Sequence, residues 1–410
     1  MSRRQLNASD EIDYSTNSLS ASVKSLAIRS LQLAKDHLTE EQLRNSTPEQ
    51  VLQRMLSTKS YISTASSFAQ KHKAAHSDPN QRYFEELGKG QCGTVYGLLG
   101  TATVTKLPNT QDKVKELHAD YLMHLRIQEA IQMHDPDHEF SVRVPKLDTW
   151  HAPTSRFWAE CGLLFDPHVD VNNFALVSER ILPAPLPVRE ALVDALLPTA
   201  IRRRKQEFLA RPENKNCLIR IYLGRRHTTE KQDRLQNLKL QNFPLHANEM
   251  EELGLDTAHF ASLMANTLAI LHWGAMVDGN DVEFILGSSP AQSKTLCYEE
   301  AKSLNMWQLA DAVNIDFNRR TMEMWLIDFN QCTKIQDDKA GIDKLVKAFI
   351  FNDPYYPRPN QGTSRDRELW GVFRKDYLST SHKLTQSPGP DTFIARVELE
   401  SKKKSIDNLF

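Results

Sequence analysis

Apolar residues recur along the chain at two different periods, which separate predicted helices from predicted strands. Spacings of three to four residues predict amphipathic helices in six segments: 19–33, 47–56, 112–133, 257–272, 341–351 and 367–378. Short runs rich in β-type residues predict strands at 174–182, 217–224 and 322–329. Because β-type patterns dominate the first part of the main unit and helical patterns dominate the rest, the sequence predicts an α+β fold.

Composition divides the chain into an extension and a main unit. Residues 1–80 contain no glycine, whereas five of the 15 glycines fall between Gly88 and Gly100. We predict a helical or partly disordered N-terminal extension over 1–80, with regulatory disorder as the alternative to stable helices. The remaining chain is predicted to form a β-rich unit over 81–182, a larger helical unit with insertions over 183–385, and a tail over 386–410.

Charge and cysteine content exclude several classes of protein. The 410 residues carry a formal net charge of −1, which argues against a basic nucleic-acid-binding surface. The five cysteines form no C-x-x-C pair, so no zinc site is predicted and reduced thiols are expected. No apolar run approaches the roughly 20 residues that cross a bilayer, and the N-terminus lacks the apolar segment of a secretory signal. We therefore expect a cytoplasmic or nuclear protein, neither secreted nor bound in a membrane.

A glycine cluster matches the pattern G-x-G-x-x-G-x-V at Gly88, Gly90, Gly93 and Val95. Glycines let a backbone approach phosphate oxygens closely. β-type residues on both sides predict a hairpin, whereas dinucleotide-binding proteins continue from such glycines directly into a helix. Lys106 ends the next predicted strand, where kinases hold a phosphate-binding lysine. A glycine-rich hairpin without a ligand is the alternative interpretation.

A phosphate-binding lysine of this kind requires an acidic partner on the following helix. Glu116 and Asp120 lie one turn apart within the predicted helix 112–133, so both can project to one side. Either can pair with Lys106, and two solvated acids are the alternative.

A second group of candidate residues lies in the segment MVDGNDVEFIL. Asp278 precedes Glu283 by five residues, and an apolar strand follows, as in the catalytic loop of kinases. Asp278 is the predicted catalytic base, and Glu283 is a predicted Mg²⁺ ligand in the place of the usual Asn. An alternative register that starts from His272 puts Gly274 at the position of the base, so we predict that His272 instead ends the helix, favoured by the helix dipole. A calcium loop fits less well, since its glycine is misplaced.

The tetrapeptide Ile-Asp-Phe-Asn occurs twice. The second copy ends an apolar strand, as Asp-Phe-Gly does in kinases, so Asp328 is the second predicted Mg²⁺ ligand. The first copy, at Asp316, falls in a predicted looped-out insertion without an apolar strand. Asn330 replaces the usual glycine, and we predict that it preserves the turn, because Asn tolerates left-handed backbone angles.

Four features follow one another in the chain order of the protein-kinase-like fold: the glycine loop, the lysine, the Asp278 loop and the strand that ends in Asp-Phe. The sequence therefore resembles that fold, and it is nearer to atypical and small-molecule kinases than to standard protein kinases. The resemblance implies a two-lobed fold with a small β-rich N-lobe and a larger helical C-lobe. It implies ATP and Mg²⁺ as cofactors, with Gly88–Gly93 over the phosphates and Ser178, Glu179 and Arg180 at the hinge near adenine. Five segments are also similar to a fungal family of uncharacterised domains sometimes labelled zinc finger protein: SERIL, CLIRIYLG, LHWGAMVDGNDVEFILG, MWLIDFNQC and FNDPYYPRP.

Three functions follow as hypotheses. The first is a phosphotransferase that acts on a small molecule or protein. The second is a pseudokinase that serves as an interaction scaffold, since the His-Arg-Asp, Asp-Phe-Gly and Ala-Pro-Glu motifs of protein kinases are missing. The third, a zinc-dependent nucleic-acid-binding protein, is the least favoured, because the cysteine spacing and the neutral charge both disagree with it.

Overall fold

The chain folds into helices packed around two β-sheets, so the predicted α+β class is confirmed. The predicted helix within 19–33 lies outside the described residues. The computed structural model describes residues 36–38, 40–58, 60–63, 74, 78, 82–227, 238–291, 297–306, 309, 316–359 and 362–407.

Eleven strands in the described residues form the two sheets. One sheet has five antiparallel strands in the order β3-β4-β5-β7-β6, and the other has six strands in the order β1-β2-β11-β10-β8-β9. The strands are β1 (Asp36–Leu38), β2 (Ser60–Ser63), β3 (Phe84–Lys89), β4 (Gly93–Leu98), β5 (Thr103–Pro108), β6 (Leu147–His151), β7 (Ala175–Glu179), β8 (Ile219–Tyr222), β9 (Phe243–His246), β10 (Glu283–Ala291) and β11 (Asp316–Ile327).

The helices of the described residues include five of the six predicted segments, with ends shifted by a few residues. The helices are α1 (Glu40–Arg44), α2 (Pro48–Leu56), α3 (Val114–His134), α4 (Arg156–Cys161), α5 (Leu186–Leu196), α6 (Thr199–Arg202), α7 (Lys205–Ala210), α8 (Pro212–Lys215), α9 (Ala247–Glu252), α10 (Thr257–Ala269), α11 (Tyr298–Ser303), α12 (Lys339–Phe351), α13 (Ser364–Leu384) and α14 (Gly389–Asp407). One turn of π-helix, Ile270–Gly274, extends α10. None of the described helices is long and apolar enough to span a bilayer.

The five-stranded sheet carries the glycine cluster on the β3–β4 hairpin and Lys106 on β5. The long helix α3 lies against this sheet, and Leu117 of α3 packs with Leu147 and Leu176 of β6 and β7. The helix and the lysine strand are thereby held in fixed relation to one another, because both belong to one packed layer.

The six-stranded sheet contains a long hairpin that the sequence did not predict. Strands β10 and β11 pair antiparallel from Glu283↔Ile327 as far as Pro290↔Arg320. The first Ile-Asp-Phe-Asn copy was predicted to lie in a looped-out insertion without an apolar strand; it is not looped out, because Asp316 is the first residue of β11, although this part of the strand is polar. Ladder pairing with β10 and β2 makes this polar end of the strand part of the sheet.

The largest core joins both ends of the described chain to the six-stranded sheet. Helix α2 begins with a capping box between Thr47 and Gln50 and packs against α5, with Leu52 fully buried. At the other end, Phe393 of α14 lies fully buried in the same core. The described part of the predicted extension and the predicted tail are therefore integral to the core of the larger unit.

Candidate functional site

The β3–β4 hairpin is closed by hydrogen bonds that involve a residue outside the glycine pattern. The Gly90 N–H donates to the Gly93 carbonyl at 2.8 Å. The Asn109 side-chain amide donates to the carbonyls of Gly90 (2.8 Å) and Gln91 (3.1 Å) and accepts from the Thr94 hydroxyl (2.8 Å). Sequence reasoning missed Asn109, since only the pairing of β4 with β5 brings it beside the turn.

The three predicted phosphate-binding glycines differ in how the protein uses them. A Cβ atom on Gly93 would lie 2.5 Å from the Leu107 carbonyl oxygen, so packing between β4 and β5 requires glycine there. A Cβ on Gly88 or Gly90 would meet its nearest protein atom at 3.7 Å or 3.6 Å, which is ordinary contact. Gly88 and Gly90 are thus not explained by packing within the protein.

Lys106 forms an ion pair with Asp120, one of its two candidate partners. The Lys106 Nζ lies 2.7 Å from the Asp120 Oδ2, and both side chains are largely shielded from solvent. Burial alone would lower the pKa of Lys106, but the negative charges of Asp120 and Asp328 outweigh it and raise that pKa. The other candidate, Glu116, pairs with Lys113 at 2.6 Å instead.

Asp120 also connects α3 to the end of β11. Its Oδ1 accepts a hydrogen bond from the Phe329 N–H at 3.3 Å, directly after Asp328. Asp328 has a left-handed φ of 67°, a conformation that costs energy for a non-glycine residue. The prediction that Asn330 supplies the left-handed turn is therefore wrong, since Asp328 is the residue that adopts it. Burial raises the pKa of the Asp328 carboxyl, and the Lys106 charge opposes this effect.

The predicted base Asp278 is buried and already hydrogen-bonded. Its Oδ1 accepts from the backbone N–H groups of Thr333 (2.8 Å) and Asn280 (3.2 Å), and its Oδ2 accepts from the Thr333 hydroxyl (2.5 Å). Only 6% of the residue is exposed. In this arrangement Asp278 fastens its loop to the segment that follows Asp328.

The predicted metal ligand Glu283 begins β10 and pairs with an arginine that sequence reasoning missed. Arg220 Nη2 of β8 lies 2.5 Å from the Glu283 Oε1. Burial raises the pKa of Glu283, Arg220 lowers it, and nearby Asp328 and Asp281 raise it further. Among the described residues, no group of three or more His, Cys, Asp or Glu side chains is arranged to hold a metal ion.

Most of the predicted site residues line a cleft of about 330 Å³ between the β3–β4 hairpin and the ends of β10 and β11, but the predicted base Asp278 and the helix acid Glu116 do not. Polar residues lie at one end, including Lys106, Glu283 and Asp328. The cleft is also lined by apolar side chains, namely Val95, Val104, Leu176, Ile181 and Leu218.

The predicted hinge residues line the same cleft but are held mainly by the protein. The Glu179 N–H donates to the Lys146 carbonyl (2.8 Å), and the Glu179 carboxylate accepts from the Lys146 N–H (3.0 Å). Arg180 is buried and contacts Glu85 at 3.3 Å, which ties the end of β7 to β3. Ser178 pairs with Val104 in the sheet and also lines the cleft.

His272 lies in the final, π-helical turn, so it does end the helix as predicted, but the predicted reason for it is wrong. His272 is fully buried, and burial lowers its pKa to about 3, so it is neutral and gains nothing from a helix dipole. The Tyr377 hydroxyl accepts a hydrogen bond from the Trp273 Nε1 (2.8 Å) and lies within hydrogen-bond distance of the His272 Nδ1 (2.9 Å). Cys92, in the turn of the glycine hairpin, is buried, and burial raises the pKa of its thiol.

Comparison with known proteins gives one family match, over residues 324–389, to a domain family of unknown function described as zinc finger protein. The matched segment contains Asp328 together with α12 and α13. It holds one cysteine, Cys332, and one histidine, His382. Cys332 is buried with its thiol pKa raised by that burial, and His382 contacts Asp391 at 2.8 Å. No curated protein matches the chain.

Proposed function

We propose that the chain has a two-lobed, kinase-like fold whose cleft binds Mg²⁺ and a nucleoside triphosphate such as ATP, and that it transfers the γ-phosphoryl group to a hydroxyl acceptor. The observation that carries this proposal is the position of Asp120. Its carboxylate holds Lys106 through one oxygen and the segment after Asp328 through the other. Residues 106, 120 and 328 thereby meet beneath the glycine hairpin, as kinase chemistry requires.

The cleft suits a nucleotide in both shape and chemistry. The apolar lining, which includes Val104 and Leu218, can enclose a planar base. Packing within the protein does not require glycine at positions 88 and 90. Gly88 and Gly90 leave space for phosphate oxygens against the hairpin backbone. Lys106 supplies a permanent positive charge at the polar end, because its raised pKa keeps it protonated at neutral pH.

The polar end of the cleft also suits Mg²⁺. Three carboxylates and two cations that line this end influence one another, and Asp281 lies close by, so four carboxylates against two cations leave two negative charges: Asp120, Glu283, Asp328 and Asp281 against Lys106 and Arg220. Protein sites commonly hold Mg²⁺ by one or two carboxylates together with substrate phosphates and water, so a preformed cage of three ligands is not required. Asp328 would hold the ion, because no described residue donates a hydrogen bond to its carboxylate. Mg²⁺ would neutralise phosphate charge.

A pseudokinase scaffold is the second candidate, and two observations favour it. The oxygens of Asp278 are engaged by Thr333 and Asn280, so the expected base is not free. Glu283 forms an ion pair with Arg220, so its negative charge is already balanced without a metal ion. A zinc-dependent nucleic-acid-binding function is favoured by no observation, since the family match contains one cysteine and one histidine.

Thermal-shift titration with ATP and Mg²⁺ tests the nucleotide site. We expect wild-type protein to be stabilised only when both are present, because a ligand that binds the folded state raises its stability. The variants Lys106→Ala and Asp328→Ala are expected to lose this stabilisation, while Lys113→Ala, outside the cleft, retains it. No shift in the wild-type protein at millimolar Mg·ATP would reject the proposed site. Phosphate release then separates a phosphotransferase from a scaffold that only binds.

A further inference from the structure

The loop between the π-helical turn and β10 contains a second aspartate, Asp281, whose carboxylate accepts fewer hydrogen bonds than that of Asp278. Asp281 is partly exposed and has a left-handed φ of 62°. The Asn352 Oδ1 accepts a hydrogen bond from the Asp281 N–H at 2.7 Å, and the Asn352 amide donates to the Gly279 carbonyl at 2.8 Å. These contacts fix the backbone of the loop without using the Asp281 carboxylate.

Asp281 is not one of the residues that line the cleft, but its carboxylate lies close to Glu283 and Asp328, which do line it. The Asp281 Oδ2 accepts a hydrogen bond from the Gln331 Nε2 at 2.5 Å. The same Nε2 lies 3.2 Å from the Oε1 of Gln91, at the tip of the glycine hairpin. The Gln331 side chain therefore connects Asp281 to the glycine hairpin, which is expected to cover the phosphates. Asp281 is also close enough to Asp328 for its negative charge to raise the pKa of Asp328.

We propose that Asp281, rather than Asp278, is the carboxylate that receives the acceptor hydroxyl. This assignment depends on the proposed phosphotransferase function. Asp278 is excluded by its contacts, since both of its oxygens are engaged by Thr333 and one also by Asn280. Asp281 has one donor among the described residues, the neutral amide of Gln331, which an incoming hydroxyl can displace.

The hydroxyl O–H donates to the Asp281 carboxylate while the hydroxyl oxygen forms a bond to the γ-phosphorus. The bond between that phosphorus and the β,γ-bridging oxygen breaks, and its electron pair leaves with the nucleoside diphosphate. The hydroxyl proton passes to Asp281, and Asp278 acts only as a positioning residue that holds the loop against Thr333.

The test measures Mg·ATP affinity by calorimetry, phosphate release with water as the acceptor, and melting temperature for four full-length proteins. These are wild type, Asp281→Asn, Asp278→Asn and Thr333→Val. We expect Asp281→Asn to bind nucleotide within about threefold of wild type but to release phosphate at least about 100-fold more slowly, the usual scale for loss of a proton acceptor. Asp278→Asn and Thr333→Val should both lower the melting temperature, because they break the same buried contacts.

Thr333→Val is the matched control, because it removes the hydroxyl contact to Asp278 without changing a carboxylate. We expect its phosphate-release rate to fall far less than that of Asp281→Asn, because Thr333→Val loosens the loop without removing the proton acceptor. The assignment is overturned if Asp281→Asn keeps the wild-type rate, or if Asp278→Asn loses the rate while keeping the wild-type melting temperature. Wild-type protein that binds Mg·ATP without any turnover would overturn the assignment and leave the nucleotide site intact. Wild-type protein that does not bind Mg·ATP would overturn the proposed function itself.

Discussion

Two glycines of the β3–β4 hairpin can be replaced one at a time, and one replacement tests packing within the protein while the other tests ligand binding. In Gly93→Ala, the new Cβ would lie 2.5 Å from the Leu107 carbonyl oxygen and 3.2 Å from the Lys106 Cγ. Real Cβ atoms essentially never approach a neighbour closer than 3.0 Å, so β4 and β5 must separate by at least 0.5 Å, the difference between 3.0 Å and 2.5 Å. Overpacking that shifts backbone typically costs about 1–3 kcal/mol.

Gly90→Ala is the matched control on the same hairpin. Its Cβ would lie 3.6 Å from the nearest protein atom, so no clash is expected. Replacing glycine by alanine without strain typically stabilises a protein by about 0.4–1 kcal/mol through the unfolded state. We therefore expect Gly93→Ala to be less stable than Gly90→Ala by about 2 kcal/mol. In contrast, Gly90→Ala should weaken Mg·ATP binding at least about tenfold, since its methyl group fills space left for phosphate.

Urea unfolding followed by tryptophan fluorescence measures the first effect, and calorimetric titration with Mg·ATP measures the second. Equal stability of the two variants would refute the described packing of β4 against β5. Wild-type affinity in Gly90→Ala would refute the role given to the hairpin.

Three further predictions follow from the core and the ion pairs. Lys106→Met should destabilise the protein by about 3 kcal/mol in urea unfolding, because it leaves Asp120 buried without its cation, and Lys113→Met should have no effect. His272 has a pKa of about 3 when folded and an ordinary value near 6.5 when unfolded, so its contribution to stability is complete above pH 6.5 and is lost by about 1.4 kcal/mol per unit as pH falls towards 3. Between pH 7.5 and 5.5, unfolding should therefore show that wild type loses about 1.4 kcal/mol more than His272→Gln, in which His124 and His138 still have lowered pKa values. Leu52→Ala should cost about 2–5 kcal/mol and exposed Glu49→Ala much less, and equal effects would contradict the packing of α2 in the core.

The sequence predicted best those parts of the site that are close together in the chain. The glycine pattern, Lys106 and Asp120 lie within fewer than 40 residues, and alternation and helical spacing define each of their elements. Spacing could not choose between Glu116 and Asp120, because the two lie one turn apart. The direction of each side chain depends on how α3 packs against the sheet.

The contacts that the sequence did not predict join distant segments. Arg220 and Glu283 meet because β8 pairs with β10, and the register of that pairing has no local sequence signal. The engagement of Asp278 by Thr333 has the same origin, since 55 residues separate them. The length of β11 was missed because its first residues are polar, and ladder hydrogen bonds rather than an apolar face keep them in the sheet.

Calorimetric titration of the full chain with ATP, in the presence and absence of Mg²⁺, tests the central claim most directly. We predict one nucleotide per chain, with an affinity that depends on Mg²⁺ and falls at least about tenfold in Asp328→Asn. Absence of measurable heat in the wild-type protein at millimolar nucleotide, or binding that is indifferent to Mg²⁺ and to Asp328, would contradict it.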